Sequence, residues 1–266
     1  MSMTKFVVIS VNENPQYLFY LPLTIWAWRK FGWTPIVMCS GPQGIHFLAA
    51  IKHSLNPDMW RVGPIDGYGT DTTAQVSRLY AACLYGPDND YLMTSDVDML
   101  PLSDYWKFDP EKITVWGHDL TGFQHMPICY IGMKRTRWIE VMGLYSHRYN
   151  ELIKRDLDDM PNAKSSDSVK RWVVDQDLIT DRINSVTFEK DFVARGTLPN
   201  GYPVGRVDRS AWIMEHPQMI DCHMLRDIYS NPDHLAKTML LLYKVWPDED
   251  FTWFTDYVKE FNILCK

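Results

Sequence analysis

The chain has 266 residues, enough for one large domain or two small ones. Hydrophobic residues make up 46% and charged residues 23%, which excludes a disordered or collagen-like chain. A formal net charge of −6 without a basic patch argues against a nucleic-acid binder or a protein drawn to anionic membranes.

Residues 5–10 read as a buried strand, too short for the core of a signal peptide. Residues 22–31 read as a helix, with Pro22 near its start and Gly32 just past its end. Residues 34–39 are a second strand, and the segment after Gly44 is a helix ending before Asn56-Pro57. Residues 72–84 read as a helix stopped by Gly86-Pro87, and residues 91–94 as a third apolar strand. This βαβα order predicts an α/β fold with a mainly parallel central sheet flanked by helices. Such sheets bind ligands at the carboxyl ends of their strands, so the loops at 10–20 and 95–102 carry the interest.

Further on, residues 112–116 and 128–134 read as strands, 136–155 as one long helix, 156–168 as a polar loop and 166–184 as one or two helices. Two C-terminal helices begin at Asn231-Pro232 and at Pro247-Asp-Glu-Asp250, each with acid in its first turn. No repeat, low-complexity tract or long linker divides the chain, so a single domain over 1–266 is expected. The greasiest later windows, 17–28 and 238–246, are broken by Pro22 or fall short of the ~20 residues that a transmembrane helix requires. No transmembrane segment is expected. The five cysteines are scattered and never spaced as CxxC, which reads as reduced thiols in a cytoplasmic protein.

The sharpest feature is Ser95-Asp96-Val97-Asp98-Met99-Leu100-Pro101, directly after the third strand. Asp-x-Asp also starts at Asp88, Asp156, Asp175 and Asp248, but those copies sit in polar loops or helix starts where solvated acids are the default. Only the Asp96 copy passes from an apolar strand into an apolar sequel, where unpaired carboxylates are costly to bury. Two carboxylates there can offer hard oxygen ligands to Mg²⁺ or Mn²⁺ and, through the ion, hold a diphosphate; the plainer alternative is turn-capping acids.

A strand–Asp-x-Asp–turn closing a βαβα unit of about a hundred residues resembles the nucleotide-sugar half of GT-A-type glycosyltransferases. Three further segments fit that family in order. Val76-Ser77-Arg78-Leu79 is similar to its Ser-Arg-Leu, and Cys129-Tyr-Ile-Gly132-Met133-Lys134 resembles the strand that lines its donor-sugar pocket. Asp175-Gln176-Asp177-Leu178 resembles the Asp-Gln-Asp of the retaining group that includes glycogenin and bacterial galactosyltransferases, although that group's C-terminal His-x-x-Gly…Lys-Pro-Trp pattern is missing. The resemblance implies a GT-A, Rossmann-like fold with a nucleotide-binding half over about 1–102 and a donor-sugar and acceptor half over about 103–266.

The activity implied is metal-dependent transfer of a sugar from a nucleoside-diphosphate donor, a UDP-sugar, to a hydroxyl of a glycan or glycoconjugate. Asp98 would be the main ligand of Mn²⁺ or Mg²⁺. Asp96 would bind the ion, directly or through water, or the ribose. His223 would be the third ligand, with His216 behind it, against the alternative of a satisfied core histidine. The ion would stabilise the departing diphosphate as a Lewis acid. Arg78 would neutralise phosphate or anchor the acidic loop.

Asn12 and Tyr17 would meet the base and ribose, or else form an ordinary turn with a packed Tyr. Gly132 would line the donor pocket. Asp175, Gln176 and Asp177 open a helix; one acid would be the base of an inverting enzyme, or the three would hold the sugar in a retaining one, with plain N-capping as the alternative. Of the eleven tryptophans, Trp106, Trp116 and Trp172 lie nearest this site, and Trp26 and Trp28 belong to a packed helix. The competing readings are a catalytically inactive nucleotide- or sugar-binding module of the same fold and an Asp-x-Asp phosphohydrolase.

Overall fold

The computed structural model describes residues 3–84, 87–121, 125–145 and 148–265. In chain order its elements are β1 (Lys5–Val11), α1 (Pro15–Leu18), α2 (Leu21–Lys30), β2 (Thr34–Ser40), α3 (Ile45–His53), β3 (Asp58–Val62), α4 (Thr70–Ser77) and β4 (Tyr91–Ser95). Then follow β5 (Met99–Pro101), β6 (Ile113–Trp116), β7 (Ile131–Lys134), α5 (Arg135–Met142), α6 (Tyr149–Asp159), α7 (Ser168–Trp172) and α8 (Val174–Asn184). The last elements are β8 (Lys190–Val193), β9 (Arg206–Asp208), β10 (Asp221–His223), α9 (Pro232–Val245) and α10 (Thr252–Leu264).

Seven strands form one sheet in the order β3-β2-β1-β4-β7-β6-β8. The first four run parallel, β7 is antiparallel to both its neighbours, and β6 pairs parallel with β8. Side chains alternate across β1: Val7, Ile9 and Val11 enter one apolar cluster, Phe6 and Val8 the other. Helices α2, α9 and α10 cover the first face, and α4, α5, α6 and α8 the second. Many aromatic side chains take part in this packing. Trp28 meets Trp33 and Trp106, and Trp106 meets Tyr130 with ring centroids 3.9 Å apart. Trp26 packs edge-on against Trp246 and Phe251.

A second, three-stranded sheet in the order β5-β10-β9 sits beyond the end of β4. Its register places His223 opposite Met99 on one side and Asp208 on the other. Residues far apart in sequence thereby reach the acidic turn.

The long helix expected over 136–155 is two helices. Gly143 ends α5 in the left-handed region at φ +64°, and the Leu144 amide bonds back to the Ile139 carbonyl. Residues 146–147 lie outside the described part of the chain. The helix expected over 72–84 passes at Arg78 from α4 into a 3₁₀ turn over Arg78–Cys83, and the expected stop at Gly86 also lies outside the described residues. Strand β3 was not foreseen because Asp58 and Arg61 make it read as loop; it is a half-exposed edge. The presumed polar loop from 156 begins instead as the end of α6. Asp156 is buried there, accepting from the Tyr80 hydroxyl at 2.6 Å and Arg182 at 2.9 Å. Among the described residues the five cysteines form no disulfide, and no helix is long and apolar enough to cross a membrane.

Candidate functional site

The carboxyl ends of β1 and β4 open into a cleft of about 490 Å³. The turn between β4 and β5 is fixed from both sides. The Met99 amide bonds to the Asp96 carbonyl, Thr24 on α2 donates to the Val97 carbonyl at 2.6 Å, and the Met224 amide reaches the Asp98 carbonyl at 3.0 Å. Val97 is buried between two carboxylates that line the cleft, so Asp96 and Asp98 are held by apolar anchoring of the residue between them.

Arg78 sits at the junction where α4 tightens. Its guanidinium bonds Asp96, reaches the Ser95 carbonyl at 3.2 Å and meets Asp175 Oδ2 at 2.6 Å. Burial works against its charge, but the two carboxylates outweigh burial and keep Arg78 protonated. Burial pushes the Asp175 carboxyl up, against the pull of Arg78. Arg78 therefore anchors the acidic loop.

Around Asp98 the partners differ. Arg209 Nη2 lies 2.7 Å from Asp98 Oδ2, with His223 Nε2 and Arg226 Nη2 each 3.6 Å from the same oxygen. His223 Nδ1 meets Asp208 Oδ2 at 3.2 Å, and that contact, ahead of the Ser210 hydrogen bonds, holds the Asp208 carboxyl well below the usual carboxylate range. With Nδ1 on Asp208, the ring turns Nε2 toward Asp98. Arg226 also stacks on Tyr17, 4.4 Å from the ring centroid, and donates to its hydroxyl at 2.9 Å. Tyr17 in turn lies 6.3 Å from Trp172 at the cleft wall.

The expected residues thus divide. Asn12, Tyr17, Arg78, Asp96, Asp98, Asp175, Gln176 and His223 all line the cleft. Asp177 does not line it; its carboxylate pairs with His125 at 2.8 Å. Gly132, expected to line the donor pocket, is not among the residues that line the cleft. It lies within β7, and a Cβ there would stand 2.5 Å from the Tyr91 hydroxyl, so packing accounts for the glycine. His216 is not a cleft residue either.

The expected ligand triad also changes. Asp96 is held by Arg78, and among the described residues no group of three or more His, Cys, Asp or Glu side chains is placed to hold a metal ion. Asp98 and His223 remain as a facing pair. Those two side chains would be the ones to hold a divalent ion, which would supply positive charge beside a phosphate.

The sequence reading missed Arg206, Arg209 and Arg226. Arg195 grips the fully buried Asp221 through two hydrogen bonds of 2.7 Å, and Arg206 adds two more at 3.1 and 3.0 Å. Two guanidiniums on one carboxylate leave a net positive wall. A signal existed: Gly205-Arg-Val-Asp208 alternates around a buried Val207, as a half-buried strand does.

A smaller compartment of about 220 Å³ adjoins the cleft and shares Asp96, Ile128, Cys129, Gln176 and Arg206 with it. Tyr105, Trp106, Trp116 and Tyr130 form much of its wall, and the buried Trp106 Nε1 and Tyr130 hydroxyl have no hydrogen-bond partner. Cys129 borders both spaces, but burial pushes its thiol up to about 12, which makes it a poor nucleophile.

No protein-family model matches this chain, and no curated protein does. Among solved structures it is similar to the glycosyltransferase GlyE of Streptococcus pneumoniae TIGR4, with TM-score 0.50 at 10% identity, covering 97% of this chain and 63% of that one. The likeness is one of fold. The apo form of GlyE superposes with TM-score 0.49 at 11% identity, covering 99% of this chain and 64% of that one. This chain spans under two thirds of the length of those structures. Its mixed α/β architecture with a large, mostly parallel central sheet is Rossmann-like and consistent with the fold of that protein.

Proposed function

We propose that the protein is a GT-A-type glycosyltransferase that moves a sugar from a nucleoside-diphosphate donor, a UDP-sugar, to a hydroxyl of a glycan or glycoconjugate. The observation that carries this reading is the convergence at one strand-end cleft of the Asp96–Asp98 turn, Arg78, Asp175-Gln176 and His223. Four arginines in the same wall supply the positive charge that a diphosphate needs.

The base and ribose fit the end lined by Asn12, Asn14, Tyr17 and Trp172, where ring faces and amide groups are both on offer. The sugar fits the aromatic compartment, whose unpartnered Trp106 and Tyr130 donors match hydroxyl groups. The diphosphate then lies between the two, beside Asp98, His223, Arg206 and Arg209. Asp98 and His223 are the residues that would hold Mn²⁺ or Mg²⁺. When bound there, such an ion supplies Lewis-acid stabilisation of the departing diphosphate.

In the transfer, the bond from the sugar's anomeric carbon to the diphosphate breaks with the electron pair leaving on phosphate, and the acceptor oxygen bonds to that carbon as its proton passes to the departing diphosphate. Gln176 borders both spaces and is the side chain for the reacting carbon. Asp175 serves by holding Arg78, and Asp177 faces His125, so neither is placed as a free base. Asp96 is likewise committed to Arg78, which favours transfer over hydrolysis through an aspartyl nucleophile.

The test is release of nucleoside diphosphate from a panel of UDP-, GDP- and CDP-sugars with Mn²⁺ present, with and without simple glycoside acceptors. Acceptor-stimulated release that Asp98→Ala abolishes is the expected result. A folded protein that releases no diphosphate from any donor contradicts the transferase reading.

A further inference from the structure

One oxygen, Asp98 Oδ2, is the focus of three cationic or potentially cationic groups. Arg209 holds it at 2.7 Å, while His223 Nε2 and Arg226 Nη2 stand off at 3.6 Å. The oxygen that would face an ion between Asp98 and His223 is therefore the one already paired with a guanidinium. A divalent ion and Arg209 cannot both be neutralised by that single carboxylate oxygen without strong mutual repulsion in a half-buried wall.

Arg209 also has somewhere to go. Its Nε and Nη1 are buried, have no hydrogen-bond partner and belong to a side chain that lines the cleft. A guanidinium pays a desolvation penalty for donors left unmatched, and once Nη2 leaves Asp98 it forms, with Nε or with Nη1, a planar two-donor edge of the kind that grips a phosphate bidentately. Arg226 repeats the pattern, with Nη1 unpartnered while Nη2 serves Tyr17.

We propose that Arg209 is a resident counter-ion of the cation site, pairing with Asp98 until a divalent ion arrives and then turning its released Nη2 and a neighbouring donor to the diphosphate that the ion brings. The proposal rests on the nucleotide-sugar reading of the cleft. Cation and nucleotide binding are then coupled: the ion must displace Arg209, and the diphosphate rewards the displacement. Coupling of this kind is reciprocal, so Mn²⁺ strengthens UDP binding by the same factor as UDP strengthens Mn²⁺ binding.

The test counts free Mn²⁺ by electron paramagnetic resonance during titration of the whole chain, first without nucleotide and then with UDP. Arg209→Met is expected to bind Mn²⁺ alone at least fivefold more tightly than the parent, because the competitor is gone. The same variant is expected to bind UDP with Mn²⁺ at least tenfold more weakly, because the phosphate contact is gone. Arg209→Gln gives the same comparison should the Met variant fold poorly, and Asp98→Asn reports Mn²⁺ bound elsewhere.

Mn²⁺ binding in Arg209→Met and Arg209→Gln that is equal to or weaker than in the parent overturns the proposal. Absence of UDP binding to the parent at saturating Mn²⁺ overturns the nucleotide reading instead, while the nucleotide-free titration still decides whether Arg209 competes with the ion.

Discussion

Asp221 is a fully buried carboxylate held between two arginines, and replacing it with Asn isolates that charge. The carboxylate is fully buried and accepts four hydrogen bonds, two of 2.7 Å from Arg195 and two of 3.1 and 3.0 Å from Arg206. An Asn of the same shape keeps one acceptor, turns an NH₂ group toward guanidinium donors and removes the only charge that balances two buried cations in this pair. Removing one partner of a buried pair destabilises by about 3–5 kcal/mol. At roughly 2–4 °C per kcal/mol for a chain of this size class, the melting temperature falls by about 6–20 °C.

The pH dependence has a definite sign. Burial opposes ionisation of Asp221, but Arg195 and Arg206 outweigh it and hold the carboxyl below its usual range. A depressed carboxyl contributes stability above its unfolded pKa of about 3.9 and loses that contribution as pH falls through the folded value. The gap between parent and Asp221→Asn should therefore be constant from pH 5 to 8 and shrink only in stronger acid. Urea and thermal melts across that range measure it. A shift below about 2 °C at pH 7 would refute the charge argument.

Arg78→Met leaves the buried Asp175 without its cation. A loss of about 3–5 kcal/mol is expected at pH 7.5. Because burial already raises the Asp175 carboxyl, protonation relieves the loss, so urea melts should show this variant regaining stability relative to the parent as pH falls toward 5, opposite to the Asp221 case. Gly132→Ala forces a methyl against Tyr91 and should lower stability by about 1–3 kcal/mol in denaturant melts while leaving nucleotide affinity unchanged. A large loss of affinity at constant stability would return Gly132 to the donor pocket. Gln176→Ala should cut the transfer rate by about 10²–10³ with nucleotide affinity within twofold of the parent, the pattern of a contact made mainly in the transition state.

The parallel half of the fold was legible because its strands are continuous apolar runs punctuated by Gly and Pro. Residues 5–10, 34–39 and 91–94 map onto β1, β2 and β4 within a residue at either end. The second half was less so, because β5, β8, β9 and β10 are three or four residues long and depend on partners rather than on pattern. At the site, Asp96 and Asp98 stood out by residue type and spacing, and Arg78 and Gln176 through the family resemblance. Their partners did not. Arg209 meets Asp98 across 111 positions, and Arg206 meets Asp221 through a sheet whose register local sequence does not encode. Asp177 and Gly132 fit a motif, yet their side-chain direction and close packing were set by tertiary structure.

The central claim is that the strand-end cleft binds a nucleoside diphosphate at Asp98. Thermal melting of the parent and of Asp98→Ala with UDP, each with and without Mn²⁺, tests it most directly. UDP with Mn²⁺ at about a hundred times its dissociation constant should stabilise the parent by about 2.7 kcal/mol, a rise of roughly 5–11 °C, and should leave Asp98→Ala unmoved. An equal rise in both proteins, or none in the parent with UDP, GDP or CDP, would contradict the account.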